Sequence, residues 1–154
     1  MIIAKKKIFD IILKARINKY FKAEIFSDFC RLNILSSIKI AGSGHLGTSL
    51  SAIDIFVWIK LFLDKKKKLS FNDLNRNILF SSKGHDVPAL YSVLYAIGVI
   101  KLNKLLKLRR LNGLDGHPDI AIKGIETNTG SLGMGISKAK GFAWAKNFRN
   151  KKGN

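Results

Sequence analysis

The sequence predicts a layered α/β domain that is rich in helices and has only a few short parallel strands. Three observations favour this class. Apolar residues recur at helical spacing along most of the chain. A short apolar run at 77–82 indicates a buried strand. Glycine-rich turns at 42–44, 81–85 and 127–135 each precede a further helical pattern, which is the order expected of an α/β unit.

The N-terminal half contains three predicted helices. A first helix is predicted around residues 8–15 and a second over about 23–40, since apolar residues repeat there every three or four positions. The double glycine at 42–44 ends the second helix, and Thr48 or Ser49 suits the N-cap of a third, apolar helix. The predicted buried face of the second helix holds Ile25, Phe26, Phe29, Leu32 and Leu35.

The C-terminal half begins with a lysine run at 65–68, which is predicted to be a solvated loop. After it, Ile78, Leu79 and Phe80 form the apolar centre of the predicted strand. Apolar periodicity indicates that the rest of this half is mainly helical. The three helices predicted there cover about 87–99, 101–108 and 133–147.

Length and composition predict one domain in a reducing compartment. The chain has 154 residues, of which 47% are hydrophobic, and this is enough to bury a core. The single cysteine, Cys30, excludes an internal disulfide. It lies in an apolar helical pattern, so we expect it to pack in the core. The first twenty residues are expected to form a basic N-terminal helix that precedes the main domain.

The chain is strongly basic, with 28 Lys and Arg against 10 Asp and Glu, for a formal charge of +18. No helix-turn-helix, zinc-finger or aromatic RNA-binding motif accompanies these charges, so nucleic-acid binding is disfavoured. The most apolar stretch, 50–63, carries Asp54 and Lys60 and is predicted to be too short and too charged to cross a membrane. No secretory leader is expected, and the predicted location is cytoplasmic.

Each of the three histidines follows a glycine, at 44–45, 84–85 and 116–117. Glycine permits a tight turn and a close approach of the backbone to a ligand. Histidine supplies a hydrogen-bonding group whose charge changes near neutral pH. The pattern predicts three loops that converge on one polar, phosphorylated ligand. The alternative is three turns that carry unrelated surface histidines.

Two glycine loops, at 81–85 and 129–135, are predicted to open helices. The N-terminus of a helix offers backbone N–H groups to an anion, so both loops are candidate phosphate-binding sites. Neither loop is a P-loop, and the glycine spacing differs from the dinucleotide-binding fingerprint. Nearby, Asp119 is interpreted as a turn cap and Glu126 as a hydrogen-bond partner at a strand end, not as acid–base catalysts.

Four motifs follow one another in the chain: S-G-H-L-G at 43–47, S-S-K-G-H at 81–85, G-H-P-D at 116–119 and E-T-N-T-G-S-L-G-M-G at 126–135. Together they resemble the N-terminal, thiamine-diphosphate-binding part of transketolase, and look closest to the N-terminal subunits of split transketolases. The resemblance implies that residues 21–154 are an incomplete part of that α/β domain. It also implies transfer of a two-carbon ketol unit between sugar phosphates, in the pentose phosphate pathway.

The resemblance implies roles for seven residues. His45 lies over the reactive carbon of the cofactor and contacts substrate hydroxyls, and His117 hydrogen-bonds the end hydroxyl and carbonyl of the substrate. Both are therefore candidate catalytic residues. The diphosphate is held by the Gly-His turn of the second motif, and the thiamine rings pack against the glycine turn of the fourth. The residues assigned in this way to the cofactor are Gly84, His85, Gly130, Ser131 and Leu132.

The sequence departs from the family after its last predicted helix. The family's next strand carries G-D-G and a later asparagine completes a Mg²⁺ site, so the metal ligands are expected downstream and none is assigned here. The family's activating glutamate comes from a pyrimidine-binding domain, usually across a dimer interface. The chain alone is therefore expected to be inactive and to need a C-terminal transketolase part or subunit. If a sheet is cut at this point, the apolar residues Phe56, Val57 and Ile59 are expected to be uncovered.

Three other interpretations stay open. The chain could be a decayed, non-catalytic relative that acts as a binding partner, a fragment of 1-deoxyxylulose-5-phosphate synthase, or a small basic nucleic-acid-binding domain. Leu46 stands where long transketolases usually carry proline, and leucine there also occurs in the synthases. The residues at 83–85, 88–91 and 116–119 favour transketolase over the synthase.

Overall fold

Six α-helices make up most of this computed structural model, which describes residues 2–64 and 73–153. A π-helical turn, Ile59–Leu63, extends the third helix, and a 3-10 turn, Gly84–Asp86, leads directly into the fourth. The predicted solvated loop at 65–68 lies outside the described residues. In chain order the helices are α1 (Lys6–Lys14), α2 (Lys19–Ala41), α3 (Leu46–Trp58), α4 (Val87–Ala96), α5 (Leu102–Leu105) and α6 (Gly135–Phe148).

Helix α4 forms the centre of the fold, and all ten of its residues are buried. Helices α1, α2 and α3 pack against it. A helix that is buried on every side is apolar all round, as this one largely is. Pro88 lies in the first turn, where its missing N–H removes no helical hydrogen bond. The helix ends three residues before its predicted end at 99, because the chain turns back at Gly98 with a φ of +84°.

Helix α2 has a clear start and a clear end. The side-chain oxygen of Asn18 accepts a hydrogen bond from the N–H of Tyr20 at 2.8 Å, which caps the first turn. At the other end, Gly42 adopts a left-handed φ of +69° and donates to the carbonyl of Ile38 at 3.0 Å. The predicted glycine terminator is therefore confirmed. This turn directs the chain toward the loop that carries His45.

The buried face of α2 differs from the predicted one. Phe26 and Cys30 are fully buried, and burial raises the pKa of the Cys30 thiol to about 12. Leu35, by contrast, is 44% exposed, so its predicted place on the buried face is wrong. The buried stripe includes small polar side chains that a hydrophobicity pattern does not count. Its members are Ala23, Phe26, Ser27, Cys30, Asn33, Ile34, Ser36 and Ser37.

The N-terminal segment is held on α2 by a buried asparagine. The side-chain oxygen of Asn33 accepts from the N–H of Ala4 at 2.9 Å, and its amide donates to the carbonyl of Ala4 at 3.2 Å. Ser36 donates to the carbonyl of Ile2 at 2.7 Å. Ala4 is 2% exposed, and the side chain of Asn33 supplies the hydrogen-bond partner for both its N–H and its carbonyl.

Helix α1 belongs to the same hydrophobic core as the rest of the chain. The ring of Phe9 is fully buried and lies 4.8 Å from the ring of Phe26 and 6.3 Å from that of Tyr95. The hydroxyl of Tyr95 also accepts a hydrogen bond from the N–H of Lys6 at 3.0 Å. The basic N-terminal helix is thus packed against α2 and α4 along its apolar face.

Helix α3 begins at Leu46, slightly before the predicted start near Thr48 or Ser49, and its π-helical extension ends at Leu63. The 18-residue stretch Leu46–Leu63 has a mean hydropathy of 1.6, which makes it long and apolar enough, by length and composition alone, to cross a membrane. The prediction made for residues 50–63, that they do not cross a membrane, stays a prediction, because the longer stretch meets a criterion of length and composition only. One third of the stretch is buried, and α3 packs against both α2 and α4. The carboxylate of Asp54 is paired with Arg31 of α2.

The apolar segment at 77–82 does not form a strand in the described residues, whose one β contact is an isolated bridge between Leu108 and Leu114. A strand needs a neighbouring strand for its backbone hydrogen bonds. Here Phe80 packs on Phe142 of α6 instead, with the rings 5.8 Å apart. Ile78 borders a cavity of about 520 Å³ on the same side. The described part of the fold is therefore helix-rich, without a sheet.

Two of the apolar residues that were predicted to be uncovered are buried, whereas Ile55 of the same helix is 60% exposed. Phe56 and Val57 are 5% and 0% exposed, so the expectation that they would be uncovered is wrong. They fill the space between α3 and its neighbours in the core. The large apolar side chains that face solvent on α6 are Ile136, Trp144 and Phe148.

We predict that Asn33→Ala lowers the free energy of unfolding by roughly 1–3 kcal/mol, because the buried N–H and carbonyl of Ala4 lose their partner. Urea denaturation of the full chain measures this. Asn147→Ala, on the exposed side of α6, is the matched control and should change stability far less. Equal losses in the two variants would show that the bonds to Ala4 contribute little.

Candidate functional site

The three glycine-histidine corners meet at one place. The rings of His45 and His85 lie edge to face, with centroids 5.1 Å apart. The hydroxyl of Thr48 lies within hydrogen-bonding distance of both backbone carbonyls, 3.2 Å from that of His45 and 3.5 Å from that of His85. The start of α3 thereby holds the first corner against the second. Neither Thr48 nor Ser49 is the N-cap that the sequence predicted, since His45 itself holds that position.

The third corner packs directly on the second through a glycine. A Cβ atom built on Gly84 would lie 2.5 Å from Cδ2 of His117 and 2.3 Å from the carbonyl oxygen of Thr129. No side chain fits there, so the fold requires glycine at this position. The same ring carbon would lie 3.5 Å from a Cβ at Gly130. Gly84 therefore permits the close approach of two other loops.

Ser82 joins the two glycine loops. Its hydroxyl oxygen accepts hydrogen bonds from the N–H groups of Gly133 at 3.2 Å and Gly135 at 3.1 Å. A Cβ on Gly135 would lie 2.5 Å from that of Ser82, so this glycine too is required by close packing. Two of the N–H groups that were predicted to face an anion at the start of α6, those of Gly133 and Gly135, are therefore already bound to Ser82.

The glycine turn of the fourth motif is open to solvent. Gly130 and Ser131 are exposed, and Leu132 is 68% exposed. Behind the turn lies a cavity of about 300 Å³ that is bordered by Thr129 and Lys138. The hydroxyl of Thr129 is buried and has no hydrogen-bond partner within the described part of the chain. The turn thus offers an apolar edge and an unsatisfied polar atom close together.

The three histidines differ in exposure. His45 and His117 are exposed, and His85 is half-buried. Tyr91 of α4 donates from its hydroxyl to the carbonyl of His117 at 3.3 Å. Burial, reinforced by the nearby charges of Asp115 and Asp119, raises the pKa of Tyr91, so its hydroxyl stays protonated and keeps donating. The loop of His117 is in this way tied to the buried helix.

A buried carboxylate lies beside His85, at a position that sequence patterns did not single out. Asp86 is 1% exposed, and its Oδ2 accepts from the hydroxyl of Ser81 at 2.7 Å and lies 4.0 Å from Nζ of Lys83. Its Oδ1 is buried without a partner among the described residues. Burial raises the pKa of Asp86, and the Ser81 hydroxyl and Lys83 offset this only in part. In the sequence, the only indication of a role for Asp86 is that it directly follows His85.

The other carboxylates near the site have structural roles. The side chain of Asp119 accepts from the N–H of Ala121 at 2.7 Å, which confirms its interpretation as a turn cap. Glu126 makes a two-point ion pair with the guanidinium of Arg76 at 2.6 and 2.5 Å. It is a hydrogen-bond partner, as predicted, but of a side chain and not at a strand end. Within residues 2–64 and 73–153 no group of three or more His, Cys, Asp or Glu side chains could hold a metal ion.

Comparisons with known proteins identify the class to which these corners belong. A family model described as "Transketolase, thiamine diphosphate binding domain" matches residues 23–154, so the chain is of the thiamine-diphosphate-binding class. The transketolase from Campylobacter jejuni has a matching fold, with a TM-score of 0.75 and 32% identity over 82% of this chain and 20% of that one. The chain belongs to the transketolase family and corresponds to its N-terminal domain.

Curated relatives agree with this assignment. An apulose-4-phosphate transketolase subunit from Phocaeicola vulgatus is 35% identical over 128 residues, which is 79% of this chain and 44% of the relative. The transketolase of Mus musculus is 32% identical over 122 residues, or 79% of this chain and 20% of the relative. The chain thus spans less than half the length of these relatives.

We predict that Ser82→Ala loosens the start of α6. Two N–H groups lose their acceptor, as when a helix N-cap is removed, so the free energy of unfolding should fall by roughly 0.5–2 kcal/mol. The amide hydrogens of Gly133 and Gly135 should also exchange faster, as measured by NMR. Ser137→Ala, on the exposed side of the same helix, should leave both unchanged. Unaltered exchange in Ser82→Ala would refute this role.

We also predict a pH dependence of stability that Asp86 causes. Because the pKa of Asp86 is higher in the folded than in the unfolded chain, the folded state binds the extra proton. Stability should therefore fall as pH rises from about 4 through the raised pKa, and Asp86→Asn should remove this decline. Urea denaturation at a series of pH values tests it, with the exposed Asp115→Asn as control. Parallel profiles for wild type and Asp86→Asn would contradict the prediction.

Proposed function

We propose that this domain takes part in the thiamine-diphosphate-dependent transfer of a two-carbon ketol unit between sugar phosphates. The observation that carries the proposal is the meeting of the three glycine-histidine corners, with the rings of His45 and His85 5.1 Å apart and His117 against Gly84. Membership of the transketolase family supports it. We further propose that the chain works with a partner part or subunit in a dimeric assembly, because the Phocaeicola vulgatus relative is itself named as one subunit of a transketolase.

The residues fit the cofactor at its organic and diphosphate ends. The exposed turn of Gly130, Ser131 and Leu132 would contact the thiamine rings, because it presents an apolar edge and an open backbone. The unpartnered hydroxyl of Thr129 lies directly before this turn and would gain a hydrogen bond there. His85, half-buried beside it, would donate to the diphosphate. Since Ser82 occupies the start of α6, that helix would not hold the diphosphate.

Bound thiamine diphosphate supplies the thiazolium carbon that attacks a ketose carbonyl. The chain's own part is to orient the sugar and to move protons. His45 and His117 are exposed on the open side of the site, where they would hydrogen-bond the hydroxyls and carbonyl of the sugar. Imidazole suits proton transfer because it gains and loses its charge near neutral pH. Mg²⁺ would offset the negative charge of the diphosphate, and its protein ligands would come from outside the described residues.

We propose, in addition, that the apolar segment at 77–82 is a strand of an α/β sheet in the complete assembly. It forms no helix in the structure, and Ile78 and Phe142 border a cavity of about 520 Å³ that a neighbouring strand would fill. Such a strand would also pair with the segment through backbone hydrogen bonds.

An activity assay tests the proposed function. The purified chain with thiamine diphosphate, Mg²⁺, a ketose phosphate and an aldose phosphate should show no turnover. Turnover should appear when a C-terminal transketolase part or subunit is added. Activity of the chain alone would refute the need for a partner. A completed assembly that binds no thiamine diphosphate would instead identify the chain as a non-catalytic relative.

We predict that His85→Ala and His117→Ala have different effects in the completed assembly. His85→Ala should weaken thiamine diphosphate binding about ten- to a hundredfold, the effect of losing one hydrogen bond to a charged group. His117→Ala should lower the rate with sugar substrates and leave cofactor affinity nearly unchanged. Titration of the cofactor and sugar kinetics at saturating cofactor measure both. Loss of the cofactor in His117→Ala but not in His85→Ala would reverse the assignment.

A further inference from the structure

The loop that carries His85 is closed on itself by Asp86. The hydroxyl of Ser81 donates to Oδ2 of Asp86 at 2.7 Å and accepts from the N–H of Lys83 at 3.1 Å. The N–H of Asp86 donates back to the carbonyl of Lys83 at 3.3 Å. Residues 81–86 therefore form a ring of hydrogen bonds, here named the 81–86 clasp. His85 lies within it, and its backbone position depends on the carboxyl of Asp86.

One half of this carboxyl is unsatisfied. Oδ1 of Asp86 is buried and has no hydrogen-bond partner among the described residues, and the whole residue is 1% exposed. Asp86 is the N-cap residue of α4, yet its side chain makes no capping bond to that helix. A buried acceptor without a partner is costly, and more so when it is charged. The cost of burying this oxygen is therefore lower when the carboxyl is protonated and neutral.

Few charges face this carboxyl. Lys83 lies 4.0 Å from Oδ2, and His85 is the preceding residue in the chain; these two favour the ionised form. Burial acts in the opposite direction and is the larger effect, so the pKa of Asp86 is raised. A diphosphate at His85 would bring further negative charge to the same clasp. Like charges oppose each other more strongly in a partly buried site than in water.

We propose that Asp86 is a positioning residue whose carboxyl takes up a proton from solvent when a diphosphate binds at His85, so that anion binding is tightest when Asp86 is neutral. The inference rests on the proposed role of His85. It assigns to the 81–86 clasp a proton-linked control of cofactor affinity. In the neutral form Asp86 still accepts from Ser81, and the clasp keeps its shape.

Pyrophosphate titration of the full chain between pH 4.5 and 8.5 tests the inference. Relative to Asp86→Asn, which keeps the acceptor without the charge, the wild-type affinity should fall with rising pH by roughly tenfold. Any pH dependence that both proteins share comes from pyrophosphate and from groups other than Asp86. Calorimetry in two buffers of different ionisation enthalpy should show proton uptake on binding to wild type, and less uptake in Asp86→Asn. Asp115→Asn is the control for an exposed acid and should follow wild type.

The outcomes separate the two proposals. Saturable binding with the same pH profile and proton uptake in wild type and Asp86→Asn would overturn the inference and leave the site at His85 intact. Binding that His85→Ala does not weaken, or no saturable binding at all, would overturn the proposed site and the inference with it. Asp86→Ala, which breaks the clasp, should lose affinity at every pH, whereas Asp86→Asn should not. A loss in Asp86→Asn equal to that in Asp86→Ala would also refute the proposal.

Discussion

The fold depends on the complete burial of α4. The polar side chains of a helix that is surrounded by protein must form hydrogen bonds with other parts of the protein. Each polar side chain of α4 bonds to a different part of the chain. Tyr91 reaches the loop of His117, Ser92 the carbonyl of Cys30 on α2, and the Tyr95 hydroxyl accepts from Lys6 at the N-terminal segment. One buried element therefore fixes the functional loop, the longest helix and the start of the chain.

The candidate site is built at the N-terminal end of this same helix. The turn Gly84–Asp86 leads straight into α4, so His85 and Asp86 are joined to the most deeply buried part of the molecule. The other loops are docked onto that turn by close packing at Gly84 and by the hydrogen bonds of Ser82. Side chains on a rigid scaffold are held more accurately than side chains on free loops, which suits a site that must align two ligands.

The sequence alone predicted much of this, and its failures have physical reasons. Helix periodicity and the glycine at 42 predicted α2, because both depend on local geometry. The paired glycines and histidines predicted the corners, because a position where another loop packs closely against the backbone requires glycine, and glycine can be seen in the sequence. The prediction of a strand at 77–82 failed because a strand forms only beside a neighbouring strand. Asp86 was missed because tertiary packing decides whether a carboxylate is buried. The hydrogen bonds of Asn33 could not be predicted for the same reason, because they too depend on tertiary packing.

The hydrogen bond from Lys6 to Tyr95 joins residues 89 positions apart. During synthesis on a ribosome, α1 is made before α4, so its partners on α4 appear only after α2 and α3 have followed. Contacts of such long separation form late, because a long loop must close before they contribute. Helix α1 therefore docks late although it is made before α4, and until then Phe9, which is buried in the folded chain, is exposed to other proteins in the cell.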